Sequence, residues 1–433
     1  MSKKSESNSL TANRNKLVPR LRFPEFKNSE EWERYPLEKF LIKNTKKNRD
    51  GKYTLIQSIS NKHGFINQED YFDNRFVASK NISNYYIIER GTFAYNPSRI
   101  DVGSLAYKFD DKTSIISPLY ISFKSNPQFL EDLFLLFWFD TIEFYKQMKV
   151  LLEGGVRNIL SFENLAKIKI SYPTTLSEQQ KIADCLSSID EVITAETQKL
   201  EALKQHKKGL LQNLFPREGE KVPRLRFPEF KDSGEWEEKK LGEIAEIITE
   251  RAGSKNYTAM SVTSGVGLIP QKEKFGKNIS GNQFKNYFVI RRGDFAYNKS
   301  STKTFSQGYI AMLKNFEEAA VPNSIFTCFK VNKELVFPPF LDYLFQENYH
   351  GKYLKKYIEV GARAHGALSI EPEILINMPI TLPNNEKHPL REQEKIVSFL
   401  SSLDELIYAQ NEKIEALKNH KKGLLQGLFP EVN

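Results

Sequence analysis

Cysteine is nearly absent. Cys185 and Cys328 are the only two in 433 residues, and they fall at unrelated places. With no Cys-x-x-Cys pair, a disulfide framework and a zinc ribbon are excluded, and a reducing compartment is expected. The six histidines are scattered and read as surface or core residues, not ligands. No long apolar run exists either: the longest, Leu133–Phe139, has seven residues, too few to span a bilayer. The opening stretch MSKKSESNSLTANRNK is polar and lacks the apolar core of a signal peptide. Phosphate cradles of the GxxxxGK[ST] and GxGxxG kinds are missing. So is a Pro-Asp pair ahead of an acidic-x-Lys in the nuclease manner. A soluble, cytoplasmic, non-catalytic chain is expected.

What the chain does have is itself, twice. Val18–Lys27 reads VPRLRFPEFK, and Val222–Lys231 repeats it 204 positions later. A second echo, offset by 214, joins EQQKIADCLSSIDEV…EALKQHKKGLLQNLFP at 178–216 to EQEKIVSFLSSLDEL…EALKNHKKGLLQGLFP at 392–430. A period near 200 residues is too long for a solenoid and implies tandem domains. The length gives each domain room for its own core. Forty per cent apolar and twelve per cent aromatic residues argue for folded material. The net charge of +9 favours a polyanionic partner. Similar bodies with different middles suggest two readings of one extended, roughly two-fold target.

Residues 1–17 read as a flexible arm. Each body then opens on the repeated motif, with Pro24 and Pro228 making an extended segment and Trp32 and Trp236 as packing residues. Short strands are expected at Tyr85–Ile88, Phe93–Tyr95 and Leu105–Phe109, with copies at Tyr287–Ile290, Phe295–Tyr297 and Tyr309–Leu313. A helical stretch closes each body, Phe129–Val150 and Phe340–Ile358. In the first, Phe134, Phe137, Trp138 and Phe144 form one core stripe. Gly-containing loops, strand-like runs and boundaries at Pro173 and Pro383 follow.

The connectors carry a heptad seam. Ile182, Leu186, Ile189, Ile193, Leu200, Leu203, Leu210 and Leu214 form the first. Ile396, Leu400, Leu403, Ile407, Ile414, Leu417, Leu424 and Leu428 form the second. Each predicts a helix on the order of 50 Å long, with Glu178 or Glu392 as an acidic residue suited to its start. Glu196 and Lys207 interrupt the seam and recur as Gln410 and Lys421; polar seam residues set register and orientation. The chain order favours an antiparallel pair of helices, with the bodies at opposite ends of a pseudo-two-fold.

These residues resemble the specificity subunit of type I restriction–modification enzymes. The likeness rests on the doubled LRFPEF…W segments, the RGTFAYNPS and RGDFAYNKS strands at 90–98 and 292–300, and the LSSIDE/LSSLDE…HKKGLLQ helices, and it covers about Val18 to Pro430. It implies an α+β chain of two mixed α/β target recognition domains, 18–175 and 217–390, and two long antiparallel, coiled-coil-like spacer helices, 176–216 and 391–433. It also implies that each domain reads half of a split double-stranded DNA site, that the helices set the gap, and that two methyltransferase subunits are recruited, with restriction subunits joining through them. No cofactor is implied in this chain. S-adenosylmethionine would belong to the methyltransferase subunits, and ATP and Mg to the restriction subunits.

Candidate DNA contacts come from three regions. Lys46, Lys47, Asn48 and Arg49 form a basic loop, with Arg251, Lys255 and Asn256 in the equivalent place. Asn96, Ser98 and Arg99 follow the first FAYN strand; Asn298, Lys299, Ser300 and Lys303 follow the second. Loops that differ after a shared strand are where differing specificity would sit. Arg157, Asn158, Arg363 and His365 lie on the Gly-containing loops, where contact with DNA, contact with a partner subunit and simple connection all remain open. Tyr95-Asn96-Pro97-Ser98 resembles an amino-methyltransferase motif only faintly, lacking its second proline and aromatic. Two rival functions stand: a scaffold whose helices organise protein partners, and a self-sufficient methyltransferase, which the missing motifs disfavour.

Overall fold

The computed structural model describes residues 17–61, 63–68, 81–152, 158–217, 219–263, 265–277, 279, 281–302, 304–358, 368–384 and 388–431. The chain forms two compact units, the first assembled from two stretches of sequence and the second from one. Residues 1–197 and 412–433 make the first, and residues 198–411 make the second.

In the first unit the strands are β1 (Glu33–Pro36), β2 (Leu41–Lys43), β3 (Ile56–Ser60), β4 (Gly64–Asn67), β5 (Tyr86–Ile88), β6 (Phe93–Tyr95), β7 (Leu105–Tyr107), β8 (Ser114–Ile116), β9 (Ile121–Ser125) and β10 (Lys169–Tyr172). One antiparallel sheet has the order β2-β9-β6-β7, a second the order β4-β3-β8-β5, and β1 pairs with β10. Helices α1 (Asp132–Trp138), α2 (Ile142–Leu151) and α3 (Phe162–Lys167) follow, then the long α4 (Leu176–Leu214). The second unit holds β11 (Glu237–Lys240), the single turn α5 (Leu241–Ile244), β12 (Ala245–Ile247), β13 (Met260–Thr263), β14 (Gly267–Pro270), α6 (Gln271–Phe275), β15 (Phe288–Arg291), β16 (Phe295–Asn298), β17 (Tyr309–Met312), β18 (Glu318–Val321) and β19 (Phe326–Val331). Helices α7 (Pro338–Gln346), α8 (Tyr349–Leu354) and α9 (Pro372–Ile376), strand β20 (Pro379–Leu382) and the long α10 (Arg391–Leu428) complete it.

The repeat extends to strand register. The sheet β12-β19-β16-β17 copies β2-β9-β6-β7. Phe93 stacks on Phe123 at 5.2 Å and Phe295 on Phe329 at 5.1 Å, so the same ring pair centres both sheets. The pairs β13-β14 and β15-β18 correspond to β4-β3 and β5-β8. A parallel bridge, Ala259 to Ala320, stands where β3 and β8 pair in parallel.

Each of the two expected body helices is broken in two. Phe129–Val150 divides into α1 and α2 because Thr141 caps the second, its Oγ1 accepting from Phe144 N–H at 3.3 Å. Phe340–Ile358 divides at Asn348, which takes a left-handed φ of 57°. Phe134, Phe137, Trp138 and Phe144 are all buried. The Pro24 and Pro228 segments are extended only as far as Phe23 and Phe227. Proline then sits at the first position of a short 3₁₀ turn, where its missing N–H costs nothing.

The long helices have 39 and 38 residues. Along both, the residues of the expected seam are buried or half-buried. Both units draw on both helices. The first core joins Ile182 and Leu186 of α4 to Leu428 of α10 and to Phe429, just past its end, around Trp32, Phe134 and Trp138. The second joins Ile396, Leu400 and Leu403 of α10 to Leu210 and Leu214 of α4, and to Phe215, around Trp236 and Phe340. Within the first unit the order is antiparallel: Asp190 meets Lys421 at 2.7 Å and Glu196 meets Lys413 at 2.5 Å. Lys207 meets Asp404 at 2.5 Å in the second unit, the repeat-equivalent of the Asp190–Lys421 pair. The polar interruptions Glu196, Lys207 and Lys421 are therefore cross-helix partners.

Candidate nucleic-acid interface

The repeated motifs meet each other. Arg22 donates Nε and Nη2 to the two carboxylate oxygens of Glu178, each at 2.8 Å, while Trp32 Nε1 donates to Oε1 at 3.2 Å. Arg226 does the same to Glu392 at 2.8 Å, with Trp236 Nε1 at 3.4 Å. Glu25 pairs with Lys181 at 3.3 Å, and Glu229 with Lys395 at 3.1 Å. Gln179 and Gln393, both fully buried, accept from Glu131 N–H and Phe337 N–H. Glu178 and Glu392 stand in the first turns of their helices, as expected, and are in addition buried acceptors that lock each body to its helix. A carboxylate out of water needs full partnering, and the bidentate guanidinium with the indole N–H supplies it. Sequence reasoning saw these residues repeat without pairing them, although Arg, Trp and Glu recurring together was the available signal.

Of the candidate contacts, Lys46 and Arg49 are exposed, and Lys47 is half-buried against the Tyr86 ring. Asn48 is a correction. It is completely buried, its Nδ2 donating to Tyr53 O at 2.8 Å and its Oδ1 accepting from Tyr53 N–H at 3.1 Å, so it closes its own loop and no base can reach it. Ala252 occupies its place in the second copy, as the bridges Lys47–Tyr86 and Arg251–Phe288 show. Arg251 is exposed but lies 4.0 Å over the Phe288 ring and donates to Asn286 O. Lys255 and Asn256 are exposed. Anions neutralise part of this edge: Lys46 and Lys124 both approach Glu89, and Arg291 pairs with Glu250 and Glu318.

The loops after the FAYN strands share one construction. Asn96 Oδ1 accepts from Ser98 N–H at 3.0 Å, and Asn298 Oδ1 from Ser300 N–H at 3.1 Å, so both asparagines shape the turn. Ser98 and Arg99 are exposed; Lys299 and Ser300 are half-buried. Tyr95 and Tyr297 are buried, and burial raises both phenols far above their ordinary range. In the first body Leu160 N–H bonds Pro97 O at 3.0 Å, and in the second Leu368 N–H bonds Lys299 O at 2.7 Å. In each body, therefore, the loop after FAYN is bonded to the leucine that follows the Gly-containing loop in sequence, Leu160 or Leu368. Asn158 is exposed. Arg157, Lys303, Arg363 and His365 lie outside the described residues.

Among the described residues, no group of three His, Cys, Asp or Glu is placed to hold a metal, and no helix is long and apolar enough to cross a membrane. Cys185 and Cys328 are free thiols.

Residues 32–205 and 233–419 match the type I restriction modification DNA specificity domain, one match per body. The chain is 25% identical over 337 residues to the type I restriction enzyme MjaVIII specificity subunit of Methanocaldococcus jannaschii, covering 74% of this chain and 75% of that one. It is 27% identical over 203 residues to the putative MjaX specificity subunit of the same organism, covering 45% of each. Its fold is similar to the S subunit of the type I restriction–modification system of M. genitalium, with a TM-score of 0.53 at 14% identity over 96% of this chain and 100% of that one. A chain from a structural study of assembly and conformational transition in the type I R-M system also scores 0.53, at 16% identity over 92% and 97%. With the specificity domain matched in both bodies, the chain belongs to the family of type I restriction–modification DNA specificity subunits.

Proposed function

We propose that each body reads one half of an asymmetric, bipartite site in double-stranded DNA, and that the paired helices fix the gap between the halves. The observation that carries this is the contrast within the repeat. The clamp, sheet register and helix seam are duplicated, while the loops that follow the FAYN strands differ, Asn96-Pro97-Ser98-Arg99 against Asn298-Lys299-Ser300. A frame held constant around loops that vary is what two different readings need. Lysines and arginines would hold phosphates and set register, while a few loop side chains read base edges.

The chain itself is non-catalytic in this reading, and its place is the cytoplasm. It recruits two methyltransferase subunits, which bring S-adenosylmethionine, and through them restriction subunits with ATP and Mg. A doubled groove supports the number two. In the second unit a groove of about 490 Å³ is lined by Leu211, Phe215, Tyr349 and Tyr353. In the first, one of about 260 Å³ is lined by the repeat-equivalents Leu425 and Phe429, with Ile142.

Binding of the assembled complex to duplex DNA separates this function from a protein scaffold. The expected result is sequence-dependent binding whose affinity falls steeply, by about a thousandfold or more between 50 and 200 mM salt if six or more phosphates are contacted. Binding indifferent to sequence and salt would favour the scaffold.

A further inference from the structure

The two bodies share strand register, so their side chains compare position by position, and one cluster stands out. In the first body Gln57, on β3, is almost fully buried. Its Oε1 accepts from Lys108 Nζ and from Ser114 Oγ, both at 2.8 Å. Lys108 is completely buried and also donates to Asp110 Oδ2 at 2.9 Å. Gln57 Nε2 then donates to Asn67 Oδ1 at 3.3 Å, across the β3–β4 pair.

Among the described residues the second body has no copy of this network. Pairing of β13 with β14 places Met260 opposite Pro270, as Gln57 stands opposite Asn67. The residue after β17 is Leu313 where Lys108 follows β7, and Ala319 faces Ile290 as Ser114 faces Ile88. Gln, Asn, Lys and Ser in one copy are Met, Pro, Leu and Ala in the other. A fold that is content with an apolar cluster gains no stability from a buried ammonium, which must be desolvated and fully bonded. The polar network serves something other than folding.

It opens onto a cleft of about 710 Å³ lined by Gln57, His63, Phe65, Asn67, Asp110 and Lys112. His63, Asn67 and Lys112 are exposed. The turn carrying His63 is tied by Asn61 Nδ2, donating at 2.7 Å to Val102 O, to the segment that follows Ser98 and Arg99. Both acceptor sites of Gln57 Oε1 are occupied, so its amide orientation is fixed, and that in turn fixes Asn67. The Asn67 amide then offers a donor and an acceptor side by side, which matches the N7 acceptor and N6 donor of adenine in the major groove. Asp110 does not repel DNA as a lone anion would, because the Lys108 ammonium neutralises it. Lys112 supplies a cation at the rim.

We infer that this cleft is a base-reading site of the first body, in which Asn67, held by the Gln57–Lys108–Ser114 network, recognises an adenine edge. The inference rests on the specificity-subunit reading and adds the residue that discriminates, together with the reason the two bodies differ.

The test is the methylation pattern written by the complete complex carrying Asn67→Ala, and separately the triple change Gln57→Met, Lys108→Leu and Ser114→Ala, which installs the second body's residues. Asn67 is exposed, so its replacement leaves the core intact. The expected result is loss of preference at one A·T position of one half-site, by roughly tenfold to a hundredfold, with the other half-site and the gap unchanged. The triple variant should stay folded and relax the same position. An unchanged motif with Asn67→Ala, or a change in both halves, would overturn the site. If the unaltered complex wrote no split motif at all, the specificity-subunit reading would fail instead.

Discussion

Each body is fastened to a long helix by one buried carboxylate, Glu178 or Glu392, and each carboxylate is satisfied by one arginine and one tryptophan. Removing a partner from such a pair leaves an uncompensated charge in the core. Glu178→Ala should therefore lower stability by about 3–5 kcal/mol in urea unfolding; a loss below about 1 kcal/mol would show that the clamp is incidental. His350 supplies a second prediction. It is completely buried, its Nε2 lies 3.1 Å from Gly308 O, and burial pushes its pKa down to about 4. Gly308 cannot carry a side chain there: its φ is +84° and an added Cβ would lie 2.5 Å from Asn298 O. The unfolded chain titrates its histidine near 6.5 and so binds a proton, between that pH and about 4, which the folded chain refuses. Stability is thus fully present above pH 6.5 and is lost as pH falls toward 4, by on the order of 3 kcal/mol at the lower end. In His350→Gln that part of the acid loss should disappear; an identical pH profile would refute the assignment. Sequence left this histidine among six scattered ones, since burial is set by Phe345 and Tyr297, which approach it only in the fold.

At the scale of elements, the long helices were the most legible part of the chain. A heptad seam needs no tertiary knowledge, and Ile182, Leu186, Leu200, Leu210, Ile396, Leu400, Leu403 and Ile414 are all buried. The body helices were less so. An unbroken apolar stripe across 129–150 hid the Thr141 cap, because the side chains on both sides of the break enter the same core. Contact residues were the hardest to read, since Asn48 is as polar as its exposed neighbours Lys46 and Arg49, and only the closure of its own loop distinguishes it. The Gln57 network was invisible for a related reason: Gln57 meets Lys108 and Ser114, 51 and 57 residues further along the chain, only through the fold. If the helices act as a ruler, length should control the gap alone. One heptad inserted in both adds about 10 Å, close to three base pairs at about 3.4 Å each. The methylated half-sites should stay the same while the gap lengthens by about that much. An unaltered gap would show that the helices do not measure it.

For the whole molecule, duplication explains both what repeats and what does not. The clamp, the stacked Phe93–Phe123 and Phe295–Phe329 pairs and the cross-helix pairs Asp190–Lys421 and Asp404–Lys207 are frame, present in both copies. The FAYN loops and the Gln57 position are where the copies part, and a non-palindromic target requires such a difference. The measurement that tests this most directly is a genome-wide map of methylated adenines in cells that express this chain with its methyltransferase subunits. The account predicts a single split motif, two unlike half-sites around a fixed gap. A continuous or palindromic motif, or no new methylation from an assembled complex, would contradict it.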